Sequence, residues 1–136
     1  MQPSPFAATQ CNRFFGFELQ HRGADRVEVA LPVRAEFLQE EGVVHGGVLT
    51  ALADTAAVYL LWPDLPPDRG MTGIECKMNF LGAAMLSAGP LVATATPLRI
   101  GRTIAVCETV VQQAGRTVAK GTFTFLLRPR AAAAAP

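Results

Sequence analysis

The sequence predicts an α+β fold in which an antiparallel β-sheet wraps around one long central helix. From His45-Gly46-Gly47 to Trp62 the chain is rich in Ala and Leu and contains no proline or further glycine, which favours a buried helix. The segments before and after it alternate apolar and polar residues, as half-buried strands do. One helix that covers the apolar face of such a sheet fits this order of elements.

The residues before the central helix predict a short helix and a β-hairpin. Ser4 and Pro5 suit the N-cap and the first position of a helix over residues 5–14. Residues 15–33 alternate in polarity and indicate two strands joined at a turn over residues 22–25. Residues 34–44 then form a loop whose charges are solvated.

The residues after the central helix predict a loop followed by strands. Proline, aspartate and glycine make residues 63–70 a breaker-rich loop. The strands that we expect cover residues 71–81, 91–99, 103–112 and 116–127. On the last strand one face would carry Thr117, Ala119, Gly121, Phe123, Phe125 and Leu127. We expect a single domain over residues 1–128 and a disordered, low-complexity tail over residues 129–136.

Size and composition exclude several classes of protein. With 136 residues the chain can bury a core without disulfides or metals, and its three widely spaced cysteines predict neither. A net charge of +1 gives no general attraction for nucleic acid. The first residues lack the pattern of a signal peptide, and the central helix is too short for a membrane span. We therefore expect a cytoplasmic protein that binds neither nucleic acid nor a membrane.

Asp54 is the only charged residue of the central helix. Burial of an ionised carboxylate is costly unless the group is paired or hydrogen-bonded. One interpretation is structural, with Asp54 in contact with solvent or paired with an arginine. The other is functional, with a desolvated carboxylate retained for chemistry, and the glycines at the helix entrance favour it.

Gly46 and Gly47 leave backbone N–H groups without intrahelical partners or shielding side chains. Such a helix end can receive a carbonyl oxygen or an oxyanion, so the helix carries two parts of a hydrolytic site. Gly46 and Asp54 lie eight positions apart, about 12 Å along the axis, too far to meet at one carbon. We therefore predict an obligate dimer with antiparallel helices and two equivalent sites.

Two motifs at a joint spacing carry a family resemblance. Gln39-x-x-Gly42-x-x-His45-Gly46-Gly47 is followed by Leu52-Ala53-Asp54-Thr55-Ala56. Together they resemble hotdog-fold acyl-CoA thioesterases of the phenylacetate-pathway and 4-hydroxybenzoyl-CoA type, and the likeness extends over residues 14–127. The resemblance implies the hotdog fold, hydrolysis of an acyl-CoA to a free acid and CoA, and homodimers that often pair into homotetramers. No cofactor or metal is implied, because the CoA thioester is the substrate.

The resemblance also implies a role for each matched residue. Asp54 would be the catalytic carboxylate, acting as nucleophile or as general base on water. The Gly46 N–H would polarise the thioester carbonyl, Gln39 would position the carbonyl or the water, and His45 would order this corner. Thr72 would assist the water or the carboxylate. The residues that would bind the substrate are Gly47, Arg99, Gly101 and Arg102, with an arginine on a CoA phosphate.

Several of these residues have a structural alternative. His45 can simply cap the helix, and Arg99 and Arg102 can be ordinary turn charges. Gln39 and Thr72 carry no signal apart from the resemblance. Three residues of the following strand fit its alternation and are assigned no function: Glu75, Cys76 and Lys77.

Other chemistries lack their motifs. The two serines, Ser4 and Ser87, do not lie in a G-x-S-x-G elbow, and no phosphate loop, dinucleotide fingerprint or H-E-x-x-H is present. Two alternatives stay open: a hotdog-fold hydroxyacyl-thioester dehydratase or hydratase, and a non-catalytic acyl-CoA-binding regulator, which would have no need for Asp54. We expect a small aromatic or a short or medium-chain acyl group, and the sequence does not choose between them. The residues that suit an acyl pocket and a core equally are Tyr59, Trp62, Met78 and Phe80.

Overall fold

The computed structural model describes residues 6–130, which form two α-helices and six β-strands. The helices and strands are α1 (Gln10–Phe15), β1 (Glu18–Arg22), β2 (Val27–Leu31), α2 (Gly46–Leu61), β3 (Arg69–Phe80), β4 (Leu91–Ile100), β5 (Ile104–Gln113) and β6 (Arg116–Pro129). The strands make one sheet in the order β1-β2-β4-β5-β6-β3, and all neighbours pair antiparallel. This arrangement confirms the predicted α+β class.

Helix α2 packs against β2, β4 and β5, and small side chains on both sides let the helix lie close to the sheet. The fully buried small residues are Ala53, Ala56, Ala57, Ala93, Ala95, Ala105 and Cys107. A hydrogen bond pins the same contact, because the buried Thr109 hydroxyl donates to the Ala53 carbonyl oxygen at 3.2 Å. The helix is therefore fixed over one half of the sheet.

The chain before α2 also holds the carboxyl end of this helix, at Tyr59. The Tyr59 hydroxyl lies 3.2 Å from the Thr9 hydroxyl and 3.4 Å from the Asn12 amide nitrogen, which ties α1 to the central helix. At the same residue, Arg22 Nε donates to the Tyr59 carbonyl oxygen at 3.2 Å. A cation beside the last carbonyls stabilises a helix, because it compensates the negative end of the helix dipole.

The N-terminal half agrees with most of the predicted elements. The hairpin predicted over residues 15–33 is formed by β1 and β2. The helix predicted over residues 5–14 is wrong in detail, since a 3₁₀ turn at Phe6–Ala8 precedes α1. The cap that we predicted at residues 4–5 lies outside the described residues. A second 3₁₀ turn, Ala35–Phe37, lies within the predicted loop.

Strand β6 departs from the predicted pattern at both ends. The alternate residues from 119 to 127 are buried as predicted, but Thr117 is exposed and Val118 is buried. The cause is a register shift between β5 and β6 at Val111 and Gln112, which exchanges the two faces. At the other end β6 continues to Pro129, so the first residue of the predicted tail belongs to the sheet. Residues 131–136 of that tail lie outside the described part.

The three cysteines are free thiols, at positions 11, 76 and 107. Burial raises the pKa of the Cys107 thiol to about 11, so this side chain stays protonated in the core. No helix within residues 6–130 combines the length and the hydropathy that a membrane span requires.

Candidate active site

An open groove of about 590 Å³ separates α2 from the β3 edge of the sheet. Because α2 packs chiefly on β2, β4 and β5 and contacts β6 less, the edge strand β3 extends beyond the helix and leaves this space uncovered. The residues that line the groove are Gly47, Thr50, Ala51 and Asp54 from the helix, and Gly73, Ile74, Glu75, Cys76 and Phe125 from the sheet. The groove thus runs along one uncovered stripe of α2.

Asp54 lies in this groove and not in the core. The residue is exposed in the single chain, which corrects the expectation of a buried carboxylate. The groove walls still remove part of the hydration of the carboxyl group, and this desolvation raises the pKa of Asp54 above its ordinary value. No ion pair or hydrogen bond to its side chain occurs within residues 6–130, so an arginine partner does not explain its presence.

The amino end of α2 offers a single open N–H group. His45 is the N-cap, and its Nδ1 accepts from the Gly47 N–H at 2.8 Å. The Val48 N–H donates to the His45 carbonyl oxygen at 3.0 Å. Within the described chain, the Gly46 N–H has no acceptor. His45 therefore caps the helix. The same cap leaves the Gly46 N–H free, so capping the helix and ordering this corner are two effects of one side chain.

Gly46 also lies tightly against an aromatic ring. A Cβ atom at this position would be 3.1 Å from Cε1 of Phe80, closer than most side chains approach. The sequence suited Phe80 to an acyl pocket or to the core. Its side chain is 56% exposed, so it does not belong to the core. The absence of a side chain at residue 46 therefore lets the ring lie beside the open N–H.

Gln39 lies in the turn that leads to the helix, outside the groove lining. Its backbone N–H donates to the Val43 carbonyl oxygen at 2.8 Å, and its side-chain oxygen accepts from the Glu41 N–H. Gly42 completes the turn with φ of +79°, a conformation that favours glycine. Gln39 therefore shapes the approach to His45, and its amide nitrogen has no partner within residues 6–130.

Thr72 does not lie beside Asp54 in this chain. It pairs with Leu126 on the face of the sheet opposite α2, and its hydroxyl accepts from Arg128 Nε at 2.8 Å. A β-bulge between Gly73 and Glu75 is the reason, because an extra residue reverses which positions face the helix. The expected assistance of Asp54 by Thr72 thus finds no support in the single chain.

The predicted substrate-binding turn lies beside the start of β3 and outside the groove lining. Gly101 is required there, since a Cβ would be 2.8 Å from the Ile104 carbonyl oxygen. Arg69 donates to the Arg102 carbonyl oxygen at 3.0 Å and ties the turn to β3. In the described chain the guanidinium groups of Arg99 and Arg102 have no hydrogen-bond or ion-pair partner. Both are free to bind an anion.

Two residues that we assigned no function line the groove. Glu75 and Cys76 contribute to its sheet wall, together with Ile74 and Phe125. The inward position of Phe125 was predicted from alternation. The bulge on β3 was not predicted, although Gly73 within the strand is the kind of residue that marks one. Among residues 6–130, no three His, Cys, Asp or Glu side chains are grouped closely enough to hold a metal.

Comparison with known proteins identifies the family. A sequence model of the thioesterase superfamily matches residues 41–120, more than half of the chain. The chain belongs to the thioesterase superfamily. A Haemophilus influenzae protein with a provisional esterase description is 35% identical over 93 residues, which are 68% of this thioesterase and 66% of that protein. The 1,4-dihydroxy-2-naphthoyl-CoA hydrolase of Listeria monocytogenes is 33% identical over 93 residues, 68% of this thioesterase and 74% of that hydrolase.

Solved structures agree with this assignment. The crystal structure of thioesterase HI1161 from Haemophilus influenzae aligns with a TM-score of 0.83 and 26% identity, over 90% of this thioesterase and 85% of that chain. The predicted hotdog fold is thereby confirmed, and the enzyme class is thioester hydrolase.

The raised pKa of Asp54 predicts that this residue destabilises the folded thioesterase at neutral pH. The folded state holds the Asp54 proton to a higher pH than the unfolded state, so this group's contribution to stability falls as pH rises through that window. We expect Asp54→Asn to unfold at a higher temperature than the wild type at about pH 7, and at the same temperature at about pH 3. Thermal denaturation at the two pH values measures the two midpoints, and Asp68→Asn, an exposed position outside the groove, is the control. A midpoint for Asp54→Asn below that of the wild type at neutral pH would contradict the prediction.

Proposed function

We propose that this thioesterase hydrolyses an acyl-CoA to the free acid and CoA, with a small aromatic or a short or medium-chain acyl group. The observation that carries the proposal is the unpaired Asp54 carboxylate in a groove whose lining begins at Gly47, beside the open Gly46 N–H. A carboxylate with no structural partner and a hydrogen-bond donor with no acceptor, both on the helix that borders the groove, are the two groups needed to act on an electrophilic carbonyl.

The reaction divides the work between these two groups. The Gly46 N–H donates to the thioester oxygen and stabilises the negative charge that develops there. Asp54 then either attacks the carbonyl carbon and expels the CoA thiolate, with water cleaving the resulting anhydride, or takes a proton from the water that attacks. A raised pKa makes the ionised Asp54 a stronger base, which suits both routes.

A second copy of the chain would complete each site. Gly46 and Asp54 are about 12 Å apart on one rigid helix, so a single substrate carbon cannot meet both. Strand β3 is a 12-residue edge strand with Ile74 and Phe80 exposed, a surface that proteins normally cover by pairing. Two copies paired about this edge with antiparallel helices would bring Gly46 of one towards Asp54 of the other. The proposal includes this homodimer, its pairing into homotetramers and a cytoplasmic location.

Recognition of CoA is assigned to the turn between β4 and β5. Arg99 and Arg102 flank Gly101, and their guanidinium groups have no partner within residues 6–130. Arginine binds phosphate through short, charge-assisted hydrogen bonds. For the acyl group, the groove offers Ile74, Cys76 and Phe125, and the Listeria relative is named for an aromatic acyl-CoA.

Replacement of Asp54 by asparagine is expected to abolish most of the hydrolysis. The substitution keeps the shape of the side chain and removes its basicity and charge, so thiol release should fall by about 10²-fold or more. The measurement is thiol release from a panel of aromatic and straight-chain acyl-CoAs by both proteins at equal folded concentration. If the wild type binds acyl-CoA and releases no thiol, the dehydratase and regulator alternatives take precedence.

A proline at position 46 is expected to remove the carbonyl-polarising N–H selectively. Proline suits the first position of a helix, and the extended conformation of His45 is compatible with a following proline. Gly46→Pro should lower kcat by about 10²–10³-fold. Gly46→Ala is the matched control, because it brings a Cβ against Phe80 and keeps the N–H.

Mixing the variants tests whether each site is shared. Random pairing of Gly46→Pro with Asp54→Asn makes half of the dimers mixed, each with one intact site if the two groups come from different copies. Activity should then recover to about a quarter of the wild-type value. If activity does not recover after subunit exchange has been verified, both groups act from one chain and the shared site is rejected.

Neutralising the two arginines is expected to weaken binding of CoA and not of the acyl group. For Arg99→Gln with Arg102→Gln we expect KM for an acyl-CoA to rise about 3–10-fold, in the range for exposed ion pairs. The control substrate is the same acyl group on N-acetylcysteamine, which has no phosphates. An equal rise for both substrates would show that these arginines do not bind phosphate.

A further inference from the structure

Gln113, the last residue of β5, is a buried polar side chain outside the groove. It is 4% exposed, and all of its hydrogen-bonding atoms are used on backbone groups. Nε2 donates to the Met85 carbonyl oxygen at 2.7 Å and to the Gly89 carbonyl oxygen at 2.8 Å, while Oε1 accepts from the Met85 N–H at 2.8 Å. The amide thus binds both polar groups of Met85, as a neighbouring strand would.

Met85 belongs to the segment that connects β3 with β4. The start of this segment is held by β6, since the N–H groups of Leu81 and Gly82 both donate to the Val118 carbonyl oxygen. Its second half, residues 85–89, is held by the three hydrogen bonds of Gln113. Removing the Gln113 amide would take away three part-buried hydrogen bonds at once, and residues 85–89 would lose the side chain that holds them to β5.

The same segment supports the residues that enter helix α2. The Val44 N–H donates to the Ala84 carbonyl oxygen at 2.8 Å, and Val43 forms an antiparallel bridge with Met85. On the opposite side, the His45 N–H donates to the Phe37 carbonyl oxygen at 2.8 Å. The approach to the N-cap is therefore a short strand held between two other segments, and one of these depends on Gln113.

We propose that Gln113 is a positioning residue for thioester hydrolysis, which acts through Met85 and residues 43–45 to aim the Gly46 N–H at the substrate oxygen. The inference rests on the proposed role of Gly46 as carbonyl-polarising donor. An oxyanion donor is effective only at about 2.7–3.1 Å from the developing charge, and a displacement of about 1 Å can cost about 10²-fold in rate. Gln113 provides this accuracy from outside the groove.

The first test is kinetic and uses a double-mutant cycle. Gln113→Leu has a similar length and no hydrogen-bonding atoms, and we expect it to lower kcat about 10-fold or more with KM nearly unchanged. In the Gly46→Pro background the same substitution should have no further effect on kcat, because no N–H remains to be aimed. Gln112→Leu, at the exposed neighbouring position, is the matched control and should leave kcat and KM unchanged.

The second test is independent of activity. Amide hydrogen exchange of Val44, whose N–H donates to Ala84, should be about 10-fold faster or more in Gln113→Leu than in Gln112→Leu, while amides in β2 stay protected. Gln113→Asn keeps the amide on a shorter side chain and provides a milder variant if Gln113→Leu does not fold.

The outcomes separate the two proposals. Unchanged exchange at Val44, or a loss of kcat that is equal with glycine and proline at position 46, would overturn the role of Gln113. Equal activity of Gly46→Pro and Gly46→Ala would instead reject the proposed function of Gly46, and the positioning role with it. Faster exchange at Val44 in Gln113→Leu, together with a loss of kcat only when residue 46 is glycine, supports both the role of Gln113 and that of Gly46.

Discussion

The close packing of α2 on β2, β4 and β5 determines where this thioesterase has a groove. Alanines on the helix meet alanines and Cys107 on the strands, all without exposed surface, so the helix approaches the sheet more closely than large side chains would allow. The hydrogen bond from Thr109 to Ala53 fixes the same contact one residue before Asp54. A helix held so firmly over one half of the sheet leaves the edge strand β3 uncovered, and the groove is the space between the helix and that edge.

The electrostatics of the groove follow from this placement. Asp54 points away from the packed face, so it keeps contact with water while the helix and the sheet wall remove part of its hydration. Full burial would favour the protonated acid, and full exposure would leave the carboxylate an ordinary weak base. The groove holds Asp54 between these two limits, with its pKa raised by partial desolvation.

Sequence patterns predicted the elements well and their faces less well. Alternation and composition identified the strands and the central helix, because burial on one face imposes a period that a single sequence displays. Burial of Asp54 was predicted wrongly, since the sequence does not reveal how far a sheet extends past its helix. The bulge at Gly73 and Glu75 places Thr72 opposite the helix, and the register shift near Gln112 does the same to Thr117. Both irregularities change the apolar alternation, from Met71 to Ile74 on β3 and at the adjacent Val118 and Ala119 on β6, but the sequence alone does not tell which face then meets the helix.

The capping of α2 explains why Gly46 is the residue whose N–H lacks an acceptor at the start of this helix within the described chain. A helix begins with N–H groups that have no intrahelical acceptor, and a capping residue normally satisfies one of them. Here His45 satisfies two, since its Nδ1 accepts from Gly47 and its carbonyl oxygen accepts from Val48. Gly46 keeps the remaining N–H at the position where the helix dipole is most positive, and the lack of a side chain leaves room for Phe80 beside it. Capping therefore removes the competing donors, so a carbonyl oxygen that reaches this end has one direction from which to accept a hydrogen bond.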